Sequence, residues 1–93
     1  MLTFEDCLGL CELTEDEIDA IAHHEHLTEL AALELGQYLV QSPEGVHMIK
    51  RMIIDDIGEA QAHGNKERLL VLKLALKHFV DTHPANVVLR QGR

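Results

Sequence analysis

The segment QSPEG in the middle of the chain is its sharpest structural boundary, and it constrains the fold more than any other feature. Ser42 is a favoured helix N-cap, and Pro43 suits the first helical position, where its missing N–H costs nothing. The apolar stripe that follows predicts a long helix to about His63, which Gly64 then ends. Because Asn65 caps another helix at once, the HGN turn predicts two antiparallel helices.

Helix signals also precede this hairpin. The segment TEDE, Thr14 to Glu17, matches a capping box and places acidic side chains near the positive end of the helix dipole. Thr28 followed by an acid predicts a fresh cap, and the helix after it is expected to reach about Val40 and to bury Tyr38. Thr3 is expected to cap a short first helix. Alternation typical of strands is absent.

These patterns predict an all-α fold, a compact bundle of four to five helices that ends in a C-terminal antiparallel helical hairpin. A length of 93 residues fits one domain. Because Pro84 stops the last helix, we expect a single helical domain over residues 1–84 and a flexible tail over residues 85–93.

The acidic composition narrows the expected partners. The chain has 16 acidic and 8 basic residues, a net charge of −8, so a nucleic acid duplex would be repelled. No apolar run reaches the ~18 residues that a membrane span needs, and the N-terminus lacks the basic region of a secretory signal. We expect a cytoplasmic protein with Cys7 and Cys11 as reduced thiols, and neither nucleic acid nor membrane as a partner.

The last predicted helix, about Lys66 to Thr82, has an apolar surface that is too wide for one small bundle to cover. We expect an interface formed by Leu70, Val71, Leu74 and Phe79, with a homodimer favoured and another protein as the alternative partner. Motifs for nucleophilic catalysis or phosphate binding are absent. The leading prediction is therefore a non-catalytic protein that acts through association, chiefly self-association.

The segment AIAHHEHLTEL contains a second candidate site. If its helix continues through position 26, Asp19, His23 and His26 lie at i, i+4 and i+7 on one face. One carboxylate and two imidazoles suit zinc or iron, and Glu25 or Glu29 could add a ligand. The alternative is a solvated polar face, since these residues lie opposite the apolar stripe of the helix. No other cofactor is expected.

Three further features concern charge. Glu25 falls within the apolar stripe of its helix, so it is either a buried, partnered carboxylate or, with Thr28, a residue that manages the helix break. Glu59 and His63 are predicted to form a pair on the helix surface. Protonation of all seven histidines would offset seven of the eight net negative charges, which makes a pH-responsive module the third functional alternative.

Two blocks of the sequence carry a resemblance: LTEDEIDAIAHHEHLTELAALELGQYLVQSPEGVHMIKRMIIDDI and the later LKLALKHFVDTHP. Together they resemble a group of short bacterial proteins of about this length that have no known activity. The resemblance covers most of the chain and implies an all-helical cytoplasmic protein. It assigns no functional residues.

Overall fold

The computed structural model describes residues 13–83 and places four helices within them. They are α1 (Glu15–Glu25), α2 (Glu29–Leu39), α3 (Pro43–Ala62) and α4 (Lys66–Thr82). No strand occurs in this part of the chain, which confirms the predicted all-α bundle. The predicted first helix, the two cysteines and the predicted tail lie outside the described residues.

All four helices begin at the residues that the sequence predicted as caps. In each case a short polar side chain accepts a hydrogen bond from the backbone N–H three residues later, which satisfies a donor that the helix itself leaves without a partner. The four caps, with their donor–acceptor distances, are Thr14 (3.2 Å), Thr28 (3.2 Å), Ser42 (3.0 Å) and Asn65 (3.1 Å).

Left-handed residues follow the ends of two helices, and both ends agree with the sequence to within one residue. α1 stops at Glu25, because His26 adopts a left-handed conformation with φ 59° and the Leu27 N–H bonds back to the Ala22 carbonyl at 2.9 Å. α3 ends at Ala62 with His63 as its C-cap, as predicted, and Gly64 then takes φ 68°. A left-handed residue directly after a helix is a common way to terminate it, and glycine adopts it without strain.

α1 lies at the centre of the bundle and packs against the other three helices, while α3 and α4 form the predicted hairpin. Gly36 lets α2 approach α1 closely, since a Cβ there would touch the side chains of Leu13 and Ile21. Tyr38 is 71% exposed, so its predicted burial is wrong. The largest fully buried side chains are Phe79, Ile18, Ile21, Ile49, Ile53, Leu72 and Glu17.

None of these four helices combines the length and the apolar character that crossing a bilayer requires.

Candidate functional site

A polar cleft lies where the last turn of α1 crosses α3. His23 and His24 come from α1, and Asp55, Asp56 and Glu59 come from α3. Nε2 of His23 lies 3.1 Å from Oε1 of Glu59, and Nε2 of His24 lies 3.2 Å from Oδ2 of Asp55. Two neighbouring histidines on one helix therefore contact two carboxylates on another, and the contacts join residues distant in sequence.

His24 is held between two acids. Its Nδ1 lies 2.8 Å from Oε2 of Glu25, while its Nε2 faces Asp55. Partial burial lowers the pKa of His24, but the hydrogen bonds to Glu25 and Asp55 outweigh it, so the net shift of the pKa is upward. Both ring nitrogens of His24 are therefore occupied by carboxylate partners. Glu25 itself is exposed, which rules out the buried position that its place in the apolar stripe suggested.

Asp56 lies at the floor of the cleft and is only 3% exposed. Burial raises the pKa of its carboxyl group, against the opposing charges of His23, His24 and Arg68. Among the described residues, its Oδ2 has no hydrogen-bond partner, and neither has Nη2 of Arg68, which lies 3.8 Å away. That separation permits attraction but is too long for a hydrogen bond. Burial of a carboxylate oxygen without a hydrogen-bond donor lowers the stability of the fold, and it is uncommon in native proteins.

Two adjoining cavities meet at these side chains, and His23, Asp56 and Glu59 line both of them. One, of about 160 Å³, extends towards Arg68 and His63. The other, of about 420 Å³, extends towards His24, His26 and Asp55. His23 and Glu59 are themselves exposed to solvent. The shared residues therefore form a point that a small solute or ion can reach.

His23, Asp56 and Glu59 also form the one group of three potential metal-ligating side chains found within residues 13–83. One ligand atom of each lies within 4.8 Å of the other two. The hydrogen bond from His23 lowers the pKa of the Glu59 carboxyl group, which keeps this carboxylate ionised.

Of the five metal ligands predicted from the sequence, only His23 belongs to this group. The prediction placed His26 on the helical face of Asp19 and His23, but α1 ends before His26, which instead borders the larger cavity. Glu25 pairs with His24 on the surface. Asp19, His23 and His26 therefore do not share one helical face as predicted.

The remaining two predicted ligands, Asp19 and Glu29, do come together, but with each other. The carboxyl group of Asp19 interacts with that of Glu29, outside the group formed by His23, Asp56 and Glu59. Burial, assisted by the hydrogen bond and the negative charge of Glu29, raises the pKa of Asp19 to about 6, while Arg68 opposes the shift.

Sequence reasoning missed Asp56 and Arg68, although a signal for Asp56 existed. Asp56 follows Ile49 by seven residues and precedes Ala60 by four, so it lies on the inner stripe of α3. An acid at such a position is expected to be buried and therefore to need a partner. The partners themselves lie on α1 and α4, and no pattern within α3 identifies them.

A second candidate surface lies on α4 and consists of Leu70, Val71 and Leu74, which we call the α4 patch. These side chains are 60%, 40% and 59% exposed. They occupy positions i, i+1 and i+4, so they are adjacent on the helix surface. Phe79 is 1% exposed and stacks on the His83 ring within the core, so its assignment to the interface is corrected.

Fold and site together define a small all-helical protein with an acidic, histidine-containing cleft and an exposed apolar patch. No family model, no curated protein and no solved structure matches this chain.

Proposed function

We propose that the chain is a small non-catalytic helical protein that acts by self-association, with the α4 patch as the centre of a homodimer interface. The observation that supports the proposal is the exposure of Leu70 and Leu74. Each is about 60% exposed, and both lie on one face of a helix whose opposite face packs into the core. Exposed apolar side chains in contact with one another are typical of association surfaces rather than of ordinary protein surface.

The size of the patch sets the expected strength of association. Each of its three side chains has roughly half its surface left to bury, which contributes on the order of 1 kcal/mol per side chain. A two-fold symmetric interface uses the patch twice, so six side chains contribute on the order of 6 kcal/mol. Association costs about 4–15 kcal/mol in lost freedom. The patch alone therefore supports only a weak dimer, and surrounding contacts must add to it.

Charged side chains around the patch suit the rim of such an interface. Glu67, Lys73 and His78 are all exposed and lie next to the patch on α4. An apolar centre with a polar rim is the usual composition of a protein interface. A standard interface buries about 800 Å² on each partner, so the rim must take part along with the patch.

The oligomeric state tests the proposal directly. Sedimentation velocity and light scattering on the full chain, across a wide concentration range, should show a species heavier than the 10.5 kDa monomer. The double variant Leu70→Glu/Leu74→Glu should be monomeric with an unchanged circular dichroism spectrum. Met48→Glu is the matched control, because Met48 is 51% exposed on α3 and should leave the mass of the assembly unchanged.

Two results would contradict the proposal. One is a wild-type protein that stays monomeric at the highest concentration reached. The other is a heavier species whose mass the double variant leaves intact, since the association would then use a different surface.

A further inference from the structure

The side chains of His23 and Glu59 already have the spacing of two ligands on one metal ion. Their closest atoms are 3.1 Å apart. In a tetrahedral site with metal–ligand distances of about 2.0–2.1 Å, two ligand atoms are separated by about 3.3 Å. The third donor, a carboxylate oxygen of Asp56, lies within 4.8 Å of both. Both exposed side chains can rotate, so small movements would bring all three donors around one ion.

Asp56 supplies an independent reason to expect a ligand. It is more than nine-tenths buried, it lines both cavities, and its Oδ2 has no hydrogen-bond partner. Buried carboxylates are normally paired, hydrogen-bonded or bound to a metal. The guanidinium of Arg68, 3.8 Å away, provides charge without a hydrogen bond. A cation at the cleft floor would satisfy the oxygen that the protein leaves bare.

We propose that His23, Asp56 and Glu59 bind one divalent first-row transition metal ion, with Zn²⁺ the best fit. The site is complete within one chain, so it does not depend on association through the α4 patch. The ion would be held between α1 and α3 and would leave at least one coordination position open to the cavities.

The donor set determines the class of metal. One imidazole nitrogen and two carboxylate oxygens suit Zn²⁺ and its first-row neighbours, whereas Mg²⁺ and Ca²⁺ prefer oxygen ligands alone. Three protein ligands with an open fourth position is the arrangement of a zinc site that binds water or a solute. His23 and Glu59 have side chains that are 51% and 54% exposed, so the ion has a direct path of entry.

The positive charge of Arg68 opposes the binding of a cation at Asp56. Nη2 of Arg68 has no hydrogen-bond partner, and its side chain is one-third exposed, so it is free to turn away from Asp56. Removal of this charge by Arg68→Gln should therefore strengthen metal binding. A purely structural role of Arg68 would instead predict lower stability and unchanged metal affinity.

Calorimetric titration of tag-free, chelator-treated protein with Zn²⁺ tests the site, and Co²⁺ absorption reports its geometry. We expect one ion per chain and no binding of Mg²⁺. His23→Ala and Glu59→Gln should each weaken Zn²⁺ binding about tenfold or more, and Arg68→Gln should tighten it. Both ligand variants change exposed side chains outside the core, so they should fold even if Asp56→Asn does not.

His26→Asn is the matched control, since His26 borders the larger cavity but lies outside the donor group, and asparagine tolerates its left-handed backbone. Its Zn²⁺ affinity should equal that of the wild type. The proposal is overturned if the wild type binds no stoichiometric Zn²⁺, if His23→Ala and Glu59→Gln bind as tightly as the wild type, or if His26→Asn loses as much affinity as His23→Ala.

Discussion

Glu17 is the buried acid at the start of α1, and its replacement tests whether this side chain stabilises the fold. It is fully buried. Its Oε1 accepts a hydrogen bond from the Thr14 backbone N–H at 2.9 Å, and its Oε2 lies 2.9 Å from Nδ1 of His78 on α4. Glu17 thus completes the cap of α1 and joins α1 to α4.

We expect Glu17→Ala to lower the free energy of unfolding by about 3 kcal/mol. Each hydrogen bond to a charged group contributes roughly 1.5–3 kcal/mol, and the relief of a buried charge offsets part of that sum. In a domain of this size the loss corresponds to a fall in Tm of roughly 10–20 °C. Glu17→Gln keeps an acceptor for the Thr14 N–H, so it should cost about half as much.

Urea denaturation followed by circular dichroism measures both losses. Glu15→Ala is the control, because Glu15 is an exposed acid in the same helical turn and should change stability by no more than about 0.5 kcal/mol. If Glu17→Ala costs less than about 1 kcal/mol, or no more than Glu15→Ala, the buried capping contact does not stabilise the fold as argued.

Two further predictions concern glycine substitutions and the charge of Asp19. Gly58→Ala should stabilise the protein by about 0.5–1 kcal/mol, because a Cβ at this position of α3 meets only open space. Gly45→Ala should destabilise the protein by about 1–3 kcal/mol, because the added methyl group would overlap the Leu39 carbonyl. Thermal unfolding distinguishes the two signs, and equal effects of the two substitutions would refute the reasoning. The raised pKa of Asp19, from its ordinary 3.8 to about 6, means that the native state binds the extra proton and loses stability as pH rises through that interval. Asp19→Asn should therefore reduce that loss in urea denaturation at several pH values, and identical pH profiles for variant and wild type would contradict this assignment.

The helix starts were predictable because capping is a local interaction. Thr14, Thr28, Ser42 and Asn65 each bond to a backbone N–H three residues away, so residue type and spacing contain all the information needed. The backbone conformation that ends α1 was less predictable. His26 terminates the helix through a left-handed conformation that glycine or asparagine adopts more often, and a helical wheel drawn through it placed three ligands on a face that does not exist.

The burial of the apolar residues on α4 could not be read from that helix alone. A wheel shows that Phe79 and Leu70 both belong to a broad apolar surface, but the positions of α1 and α3 decide which of them is covered. Leu70, Val71 and Leu74 are exposed because they lie at one edge of that surface. Phe79 lies on the covered side.

The two buried acids differ in their hydrogen bonding, and this difference favours a ligand in the cleft over one at the cap of α1. Glu17 and Asp56 both occupy buried positions where an apolar residue would be expected, which is a conflict that sequences tolerate mainly where structure or function requires it. Both oxygens of Glu17 have hydrogen-bond partners in the protein, so its burial is explained by the fold. Asp56 has an oxygen with no donor, beside a cavity that His23 and Glu59 also line. Since no donor among the described residues satisfies that oxygen, a cation bound in the cleft would do so.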